Sequence, residues 1–407
     1  MDILMVLHQN PDGYPAGIEQ YIFDLILGLN EKGIGIFLFF PEKNNLTLRY
    51  YKDLVLSWEK KYKGGYISPT QLHDWHTEST FHRVLIENNV EIVHFQSLRN
   101  LPLSLIEVAK DAGKEVVLSI HDYFLFCIHF ILLNPNFCGF ERDIEKCFEC
   151  LRKQRYDIKS SSFIEDRKKY VEYLFSKVDI IHAPSRFVRD IFIELFSGLK
   201  FEKFRIIGNG VNKRVYGSEE MRKTKIPINL AFLGNFLRHK GSHIFNELVR
   251  HFQEVSDIKF YIIGNVYDPI LFKPSNLHVI GGYKRESLSE ILSSYNIDMT
   301  LLLSTVPETF SYTLSESVLS RVPVIAIDLG ALGERVAELG VGFLIPREEP
   351  LPFLIQTVNE LKKTPNIIDF FKERCYEVGS IIPGVEEMVE NYSSQIYNIK
   401  NSEDRTH

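Results

Sequence analysis

Ile297-Asp298-Met299-Thr300-Leu301-Leu302-Leu303 runs into Pro307-Glu308-Thr309-Phe310-Ser311-Tyr312-Thr313-Leu314-Ser315-Glu316, and then into Val322-Pro323-Val324-Ile325-Ala326-Ile327. The first and last pieces are short apolar runs, the pattern of strands buried on both faces. Between them a helix is expected from about Ser311 to Ser320. Strand, helix, strand in this order is the unit of a parallel α/β sheet. Glu308 then lies on the loop leaving the first strand, at the mouth of the sheet. Glu316 lies inside the helix, roughly 12 Å along if the span were all helical. Two carboxylates so far apart do not share one bond. They suit the two ends of one elongated ligand, and the amides of Phe310, Ser311 and Tyr312 suit a phosphate at a helix start. An exposed Glu on an ordinary amphipathic helix gives the same pair, so the rest of the chain must decide.

The alternation extends both ways. Strands are expected at 3–8, 35–40, 92–95, 115–120 and 180–183, with helices at 19–32, 104–112 and 163–177. A second series of strands runs 205–208, 229–233, 259–263, 277–280, 299–303, 322–327 and 342–345, with helices at 242–252, 287–295 and 312–320. The fold class is therefore α/β, with two doubly wound, Rossmann-like domains. The expected boundaries are 1–203, with a cysteine-rich loop at 127–150, then 204–385, then a terminal helix and tail at 386–407 packing back on the first domain. Doubly wound sheets bind ligands at the carboxyl ends of their strands, so an interdomain cleft is the expected site. The polar end, 401–407, reads as disordered.

The 407 residues are 45% hydrophobic and 25% charged, which is globular composition and enough for two cores. A net charge of −6 argues against a global nucleic-acid role. No apolar run reaches the ~18 residues of a membrane span. Met1-Asp2-Ile3-Leu4-Met5-Val6 reads as a strand, not as a leader, so a cytoplasmic protein is expected, with its five cysteines reduced or holding metal. No G-x-G-x-x-G follows the first strand, which disfavours a dinucleotide dehydrogenase.

Several ordered motifs complete the picture. Gly13-Tyr14-Pro15-Ala16-Gly17-Ile18-Glu19 is a glycine loop after the first strand. Leu118-Ser119-Ile120-His121-Asp122 ends a later strand in a histidine. Ile207-Gly208-Asn209-Gly210-Val211-Asn212 opens the second series. Phe232-Leu233-Gly234-Asn235 is followed by Lys240-Gly241. With the paired glutamates, these segments resemble the retaining GT-B glycosyltransferases of family four, over most of the chain.

The resemblance implies roles. Gly17 lets backbone amides approach the donor, though the family usually has two glycines where this chain has Ala16-Gly17. His121 contacts the transferred sugar as a hydrogen-bond partner, and Asp122 orients it or caps the next segment. Lys240 stabilises the departing diphosphate. Glu308 reaches the transferred sugar, and Glu316 takes the donor ribose. The family places an arginine where Asn235 stands; Arg238 or His239 is left to compensate. Thr309, Ser311 and Arg321 also stand where glycines are common. No Asp-x-Asp triplet occurs, so phosphate charge must be met by Lys, Arg and helix dipoles.

Cys127, Cys138, Cys147 and Cys150 fall in one loop-like segment, the last two as C-x-x-C. Four thiolates would close a structural zinc site; four separate buried thiols fit equally. Tyr50-Tyr51-Lys52 through Trp58-Glu59-Lys60-Lys61-Tyr62-Lys63 mixes aromatic and basic residues, as does a surface resting at the inner face of a membrane, or a charged surface helix. Tyr123-Phe124-Leu125-Phe126 and Phe130-Ile131-Leu132-Leu133 add apolar groups that would serve a lipid-linked acceptor or simply pack.

The expected function is transfer of a hexose-type sugar from a nucleotide diphosphate to a hydroxyl acceptor, with retention, in surface polysaccharide or lipid-linked glycan synthesis. A GT-B sugar-nucleotide epimerase and a catalytically silent glycan-binding subunit are the alternatives.

Overall fold

The computed structural model describes residues 2–12, 17–216 and 222–399. Gly13 to Ala16 of the glycine loop and the polar end 401–407 lie outside the described residues. The chain divides into two compact units, residues 1–210 with 385–407, and residues 211–384.

Among the described residues the first unit carries eight strands: β1 (Asp2–Val6), β2 (Gly35–Pro41), β3 (Asn45–Lys52), β4 (Val55–Lys63), β5 (Ile92–Phe95), β6 (Glu115–Ser119), β7 (Ile180–Ala183) and β8 (Phe204–Ile206). Their order is β4-β3-β2-β1-β5-β6-β7-β8. From β2 to β8 across the sheet the neighbours are parallel. The chain leaves β1 for β2 on one side, then returns to place β5 on the other. That reversal is a topological switch point, where strand ends open a crevice. β8 pairs with β7, so residues 204–206 complete the first sheet and do not open the second series, as the sequence reading had it.

β3 and β4 form an antiparallel hairpin added at the edge. This corrects the surface-helix alternative for residues 50–63. Leu46 and Leu48 are buried at period two, and Asp53 and Leu54 both have positive φ, 52° and 65°, as tight hairpin turns require. Two of its lysines are already paired within the unit, Lys60 with Glu87 at 3.2 Å and Lys61 with Glu42 at 3.0 Å. Beyond residue 385 the chain packs on this same unit: the Tyr392 hydroxyl bonds that of Tyr21, and the Tyr397 hydroxyl lies 2.6 Å from His94 Nδ1.

The second unit carries β9 (Ile228–Leu233), β10 (Ile258–Ile263), β11 (Leu277–Gly281), β12 (Met299–Leu302), β13 (Val324–Ile327) and β14 (Gly342–Ile345). They are all parallel, in the order β11-β10-β9-β12-β13-β14. The switch point lies between β9 and β12. Apolar strands such as β9 are buried along their whole length, because helices cover both faces of such a sheet. Phe232, Phe236, Phe245 and Phe260 interlock edge to face on one side. No helix among the described residues is long and apolar enough to cross a membrane.

Candidate active site

In the second unit both loops at the switch point carry predicted residues. β9 ends at Leu233, and a turn of 3-10 helix, Arg238–Lys240, follows. The His239 carbonyl accepts hydrogen bonds from the Thr305 amide at 2.9 Å and the Ser304 hydroxyl at 3.3 Å, both on the loop after β12. Gly241 follows at φ 90°, and a Cβ there would lie 2.2 Å from the Leu303 carbonyl oxygen. Only glycine lets the two loops come this close. The result is that Lys240 Nζ lies 2.8 Å from Glu308 Oε1.

Glu308 is held from behind as well. Its carbonyl accepts from the Ala331 amide at 3.0 Å. Gly330, at φ 65°, starts the helix Gly330–Leu339, and a Cβ on it would meet Pro307 Cα at 2.7 Å and the Glu308 nitrogen at 2.9 Å. Burial alone would raise the Glu308 carboxyl, but Lys240, Ser311 and Ser304 together bring it below the ordinary value. Glu308 is thus an anion at neutral pH, beside a cation.

The helix Tyr312–Leu319 begins next. Phe310 and Ser311 are buried, and Ser311 sits at φ 72° without being glycine. What holds this loop is Arg335, itself buried. It donates to the Phe310 carbonyl at 2.8 Å, the Ser311 carbonyl at 2.9 Å and the Ser315 hydroxyl at 2.8 Å, and lies 3.9 Å from the Phe310 ring centroid. With those carbonyls tied to Arg335, the loop cannot swing without breaking charge-assisted bonds. Within the helix Glu316 is buried, and Arg285 Nε lies 2.7 Å from its Oε1. Burial raises the Glu316 carboxyl; Arg285 and a hydrogen bond from Tyr283 oppose that without reversing it. Arg285 also lies over the Tyr312 ring, 4.5 Å from its centroid. Asn235 and Arg238 are exposed, and Asn235 Oδ1 accepts from Asn265 Nδ2 at 3.4 Å. His239 is brought down to about 4 by burial and by Lys240, so it is neutral near pH 7. Of the two candidates for the missing arginine, Arg238 alone brings charge.

The first unit places Gly17 at the start of the helix Gly17–Glu31, exposed. His121 stands just past β6. Its Nε2 lies 2.9 Å from Gln96 Oε1, and its ring packs 4.7 Å from that of Tyr21. Burial, then His182, His8 and Arg99, hold it well below the usual histidine range, so the ring is neutral. Asp122 accepts from the Phe124 amide at 2.9 Å and pairs with Arg99 at 3.1 Å, which makes it a cap and an anchor for Arg99.

A family model described as Glycosyltransferase Family 4 matches residues 15–214, and one described as Glycosyl transferases group 1 matches residues 218–366. The chain is a family 4 glycosyltransferase. Among its relatives is an uncharacterised 41.2 kDa protein in the cps region of Klebsiella pneumoniae, 26% identical over 66% of this chain and 78% of that one. Another is an uncharacterised glycosyltransferase of Methanocaldococcus jannaschii, 25% identical over 79% of this chain and 89% of its own length. Anabaena HepE in complex with UDP superposes with a TM-score of 0.64 at 14% identity, covering 98% of this chain and 100% of that one. The fold class of this glycosyltransferase is GT-B.

Cys127, Cys138, Cys147 and Cys150, the expected zinc ligands of the glycosyltransferase, are free thiols in this arrangement. Cys147 and Cys150 lie on the helix Ile144–Lys153, and Asn134 Nδ2 donates to Cys150 Sγ at 3.2 Å. Burial, then Cys127, Cys138 and Cys150, push the Cys147 thiol up to about 12. Among the described residues no three Cys, His, Asp or Glu side chains are placed to share a metal ion.

Sequence reasoning missed Arg285, Arg335, Arg99 and His8. Arg335 had a signal: it falls on the apolar stripe of its helix, between Leu332 and Leu339. Such a lone buried arginine needs partners.

Proposed function

We propose that this glycosyltransferase moves a sugar from a nucleoside-diphosphate sugar to a hydroxyl acceptor, with retention of configuration. The observation that carries it is the switch point of the second sheet. There Lys240 and Glu308 sit paired beside the start of the helix that holds Glu316. In this reading a diphosphate meets Lys240, Arg238 and the first turn of the 312–319 helix, where a cation and a helix N-terminus attract anions together. Glu316 takes the ribose diol while sharing its carboxylate with Arg285 and Tyr283. Glu308 meets the transferred sugar, and His121, carried by the first unit, is a sugar hydrogen-bond partner. The UDP bound to Anabaena HepE fits a uridine nucleotide as donor. The relative in the cps region fits a surface polysaccharide as the acceptor's class.

Calorimetry with UDP, followed by transfer assays with a panel of UDP-sugars, tests this reading. Glu316→Gln is expected to weaken UDP binding by about 1.5–3 kcal/mol, the usual contribution of a charge-assisted hydrogen bond. Unchanged affinity in a folded variant removes Glu316 from the ribose. Conversion of a UDP-sugar to its epimer without acceptor would replace transfer by epimerisation.

A further inference from the structure

His8 stands just past β1, at the switch point of the first sheet, and is 3% exposed. Its Nε2 lies 2.6 Å from a terminal nitrogen of Arg99. A guanidinium has only donors and keeps its charge, so Nε2 must accept and carries no hydrogen. The ring is neutral, because burial and then Arg99 lower it to about 3. A neutral imidazole with a bare Nε2 holds its proton on Nδ1. Nothing among the described residues accepts that hydrogen.

The donor is held fixed from several sides. Asn100 Nδ2 donates to the His8 carbonyl at 3.1 Å. Arg99 is anchored to Asp122 at 3.1 Å and lies 4.2 Å from the Phe130 ring centroid. Glu19 Oε1 is 3.9 Å from His8 Nε2 and accepts from Gln9 at 2.9 Å. Asp122 pairs with the charge of Arg99, and Glu19 places a second carboxylate at the same corner, 3.9 Å from His8 Nε2, so the corner has no spare cation to hold a phosphate. A buried N–H with no partner costs stability unless a ligand oxygen fills its place.

Building on the proposed transfer reaction, we propose that His8 Nδ1–H is a binding donor for a neutral carbohydrate oxygen, a hydroxyl or ring oxygen, at the end of β1. The site selects against anions and is separate from the diphosphate-binding residues of the second unit.

The probes are methyl glycosides of glucose, galactose, mannose and N-acetylglucosamine, added singly to the full chain. The histidine ring signals are followed by 1H–15N NMR, with UDP calorimetry run beside them. At least one glycoside is expected to shift the His8 Nδ1 proton. His8→Gln keeps an acceptor for Arg99 and removes the Nδ1 donor, and should weaken that glycoside at least ~10-fold. His8→Asn keeps a donor near Nδ1 and gives up the Arg99 contact, and should retain most of the affinity. UDP affinity should stay within about twofold in both. If no glycoside moves the His8 signal while UDP binds, this inference fails and the transfer reading stands. If glycosides shift His8 and UDP does not bind, the inference stands and the donor reading fails. Equal losses in the Gln and Asn variants, with lowered melting temperatures, make His8 a structural residue and overturn the proposal.

Discussion

The two switch points of this molecule are built from opposite chemistry. In the second unit, carboxylates are set against cations: Glu308 against Lys240, Glu316 against Arg285. In the first, three buried imidazoles, His8, His94 and His182, and the half-buried His121 meet the Arg99 guanidinium, hydroxyls, a side-chain amide and a backbone carbonyl. Burial drives all four far below the ordinary histidine value, so they are neutral hydrogen-bonding groups. One α/β plan thus supplies two kinds of strand end. The charged one suits a diphosphate, and the neutral one suits the hydroxyls of a sugar. The difference lies in a handful of side chains on loops after parallel strands, not in the sheets.

Acid should break the comparison most visibly. Folded, His8 titrates at about 3 and His182 at about 4, with His94 and His121 also well below 6.5. Unfolded, all four protonate near 6.5. Below that pH the unfolded chain binds more protons, so stability falls as pH falls. Each ring contributes up to about 1.4 kcal/mol per pH unit, or roughly 5 kcal/mol for the four at pH 5.5. The second unit is built otherwise. Glu308 is depressed, so its contribution persists above about 4.5 and is lost only as pH falls through its folded value. His239, at about 4, and His243, also lowered by burial, act in the same direction but are two against four. Both tryptophans, Trp58 and Trp75, lie in the first unit. Urea melts followed by their fluorescence at pH 7 and 5.5 should therefore show the loss. Equal acid sensitivity in a probe attached to the second unit would remove the contrast.

The next largest effect is on turnover. Glu308→Ala and His121→Ala are each expected to lower transfer at least ~100-fold while keeping most UDP affinity, as for groups acting mainly in the transition state. Lys240→Ala should lower turnover more than stability, since Lys240 is partly exposed. Loss of UDP binding in Glu308→Ala would mean that Glu308 holds the loop together, and the division of roles would have to be redrawn.

Arg335→Met sharpens the same picture from outside the contacts proposed for the ligand. It leaves the Phe310 and Ser311 carbonyls without their donor and should cost about 1.5–3 kcal/mol, read from the melting midpoint. UDP affinity should fall with it, because the loop bearing Glu308 loses its anchor. A normal midpoint would show that the loop holds itself.

These residues mark how far the sequence could be read. The parallel strands were legible because burial on both faces demands continuous apolar runs, as in β9 and β12. The hairpin at 45–63 was not, because its edge strand is exposed along almost its whole length and mixes Trp58 with Lys60 and Lys61. Glu308 and Glu316 could be placed at a strand mouth and in a helix from the spacing alone. Their partners could not. Lys240 meets Glu308 across 68 positions, and Arg285 reaches Glu316 from a different loop. Pairings of that kind are set by strand order, which local pattern does not encode. His8 escaped for a related reason: its missing partner is visible only once Arg99 has been placed against its other nitrogen.

The smallest effect isolates a backbone cost inside the charged site. Ser311 has φ 72°, a region that a side chain with Cβ enters only at a cost. Its hydroxyl also bonds Glu308 and helps keep that carboxyl depressed. Ser311→Gly relieves the backbone and loses the hydroxyl, so the two terms oppose and the midpoint should move little. Ser311→Ala loses the same hydroxyl and keeps the conformation. The difference between the two variants is then the backbone term alone, expected at about 1 kcal/mol in favour of glycine. Both should show a raised Glu308 carboxyl, seen as an acidic limb of the transfer rate displaced to higher pH by the same amount. If alanine and glycine melt together, the loop relaxes out of the left-handed region without cost, and Arg335 is not holding it there. If the two acidic limbs differ, the serine acts on Glu308 through backbone position and not through its hydroxyl.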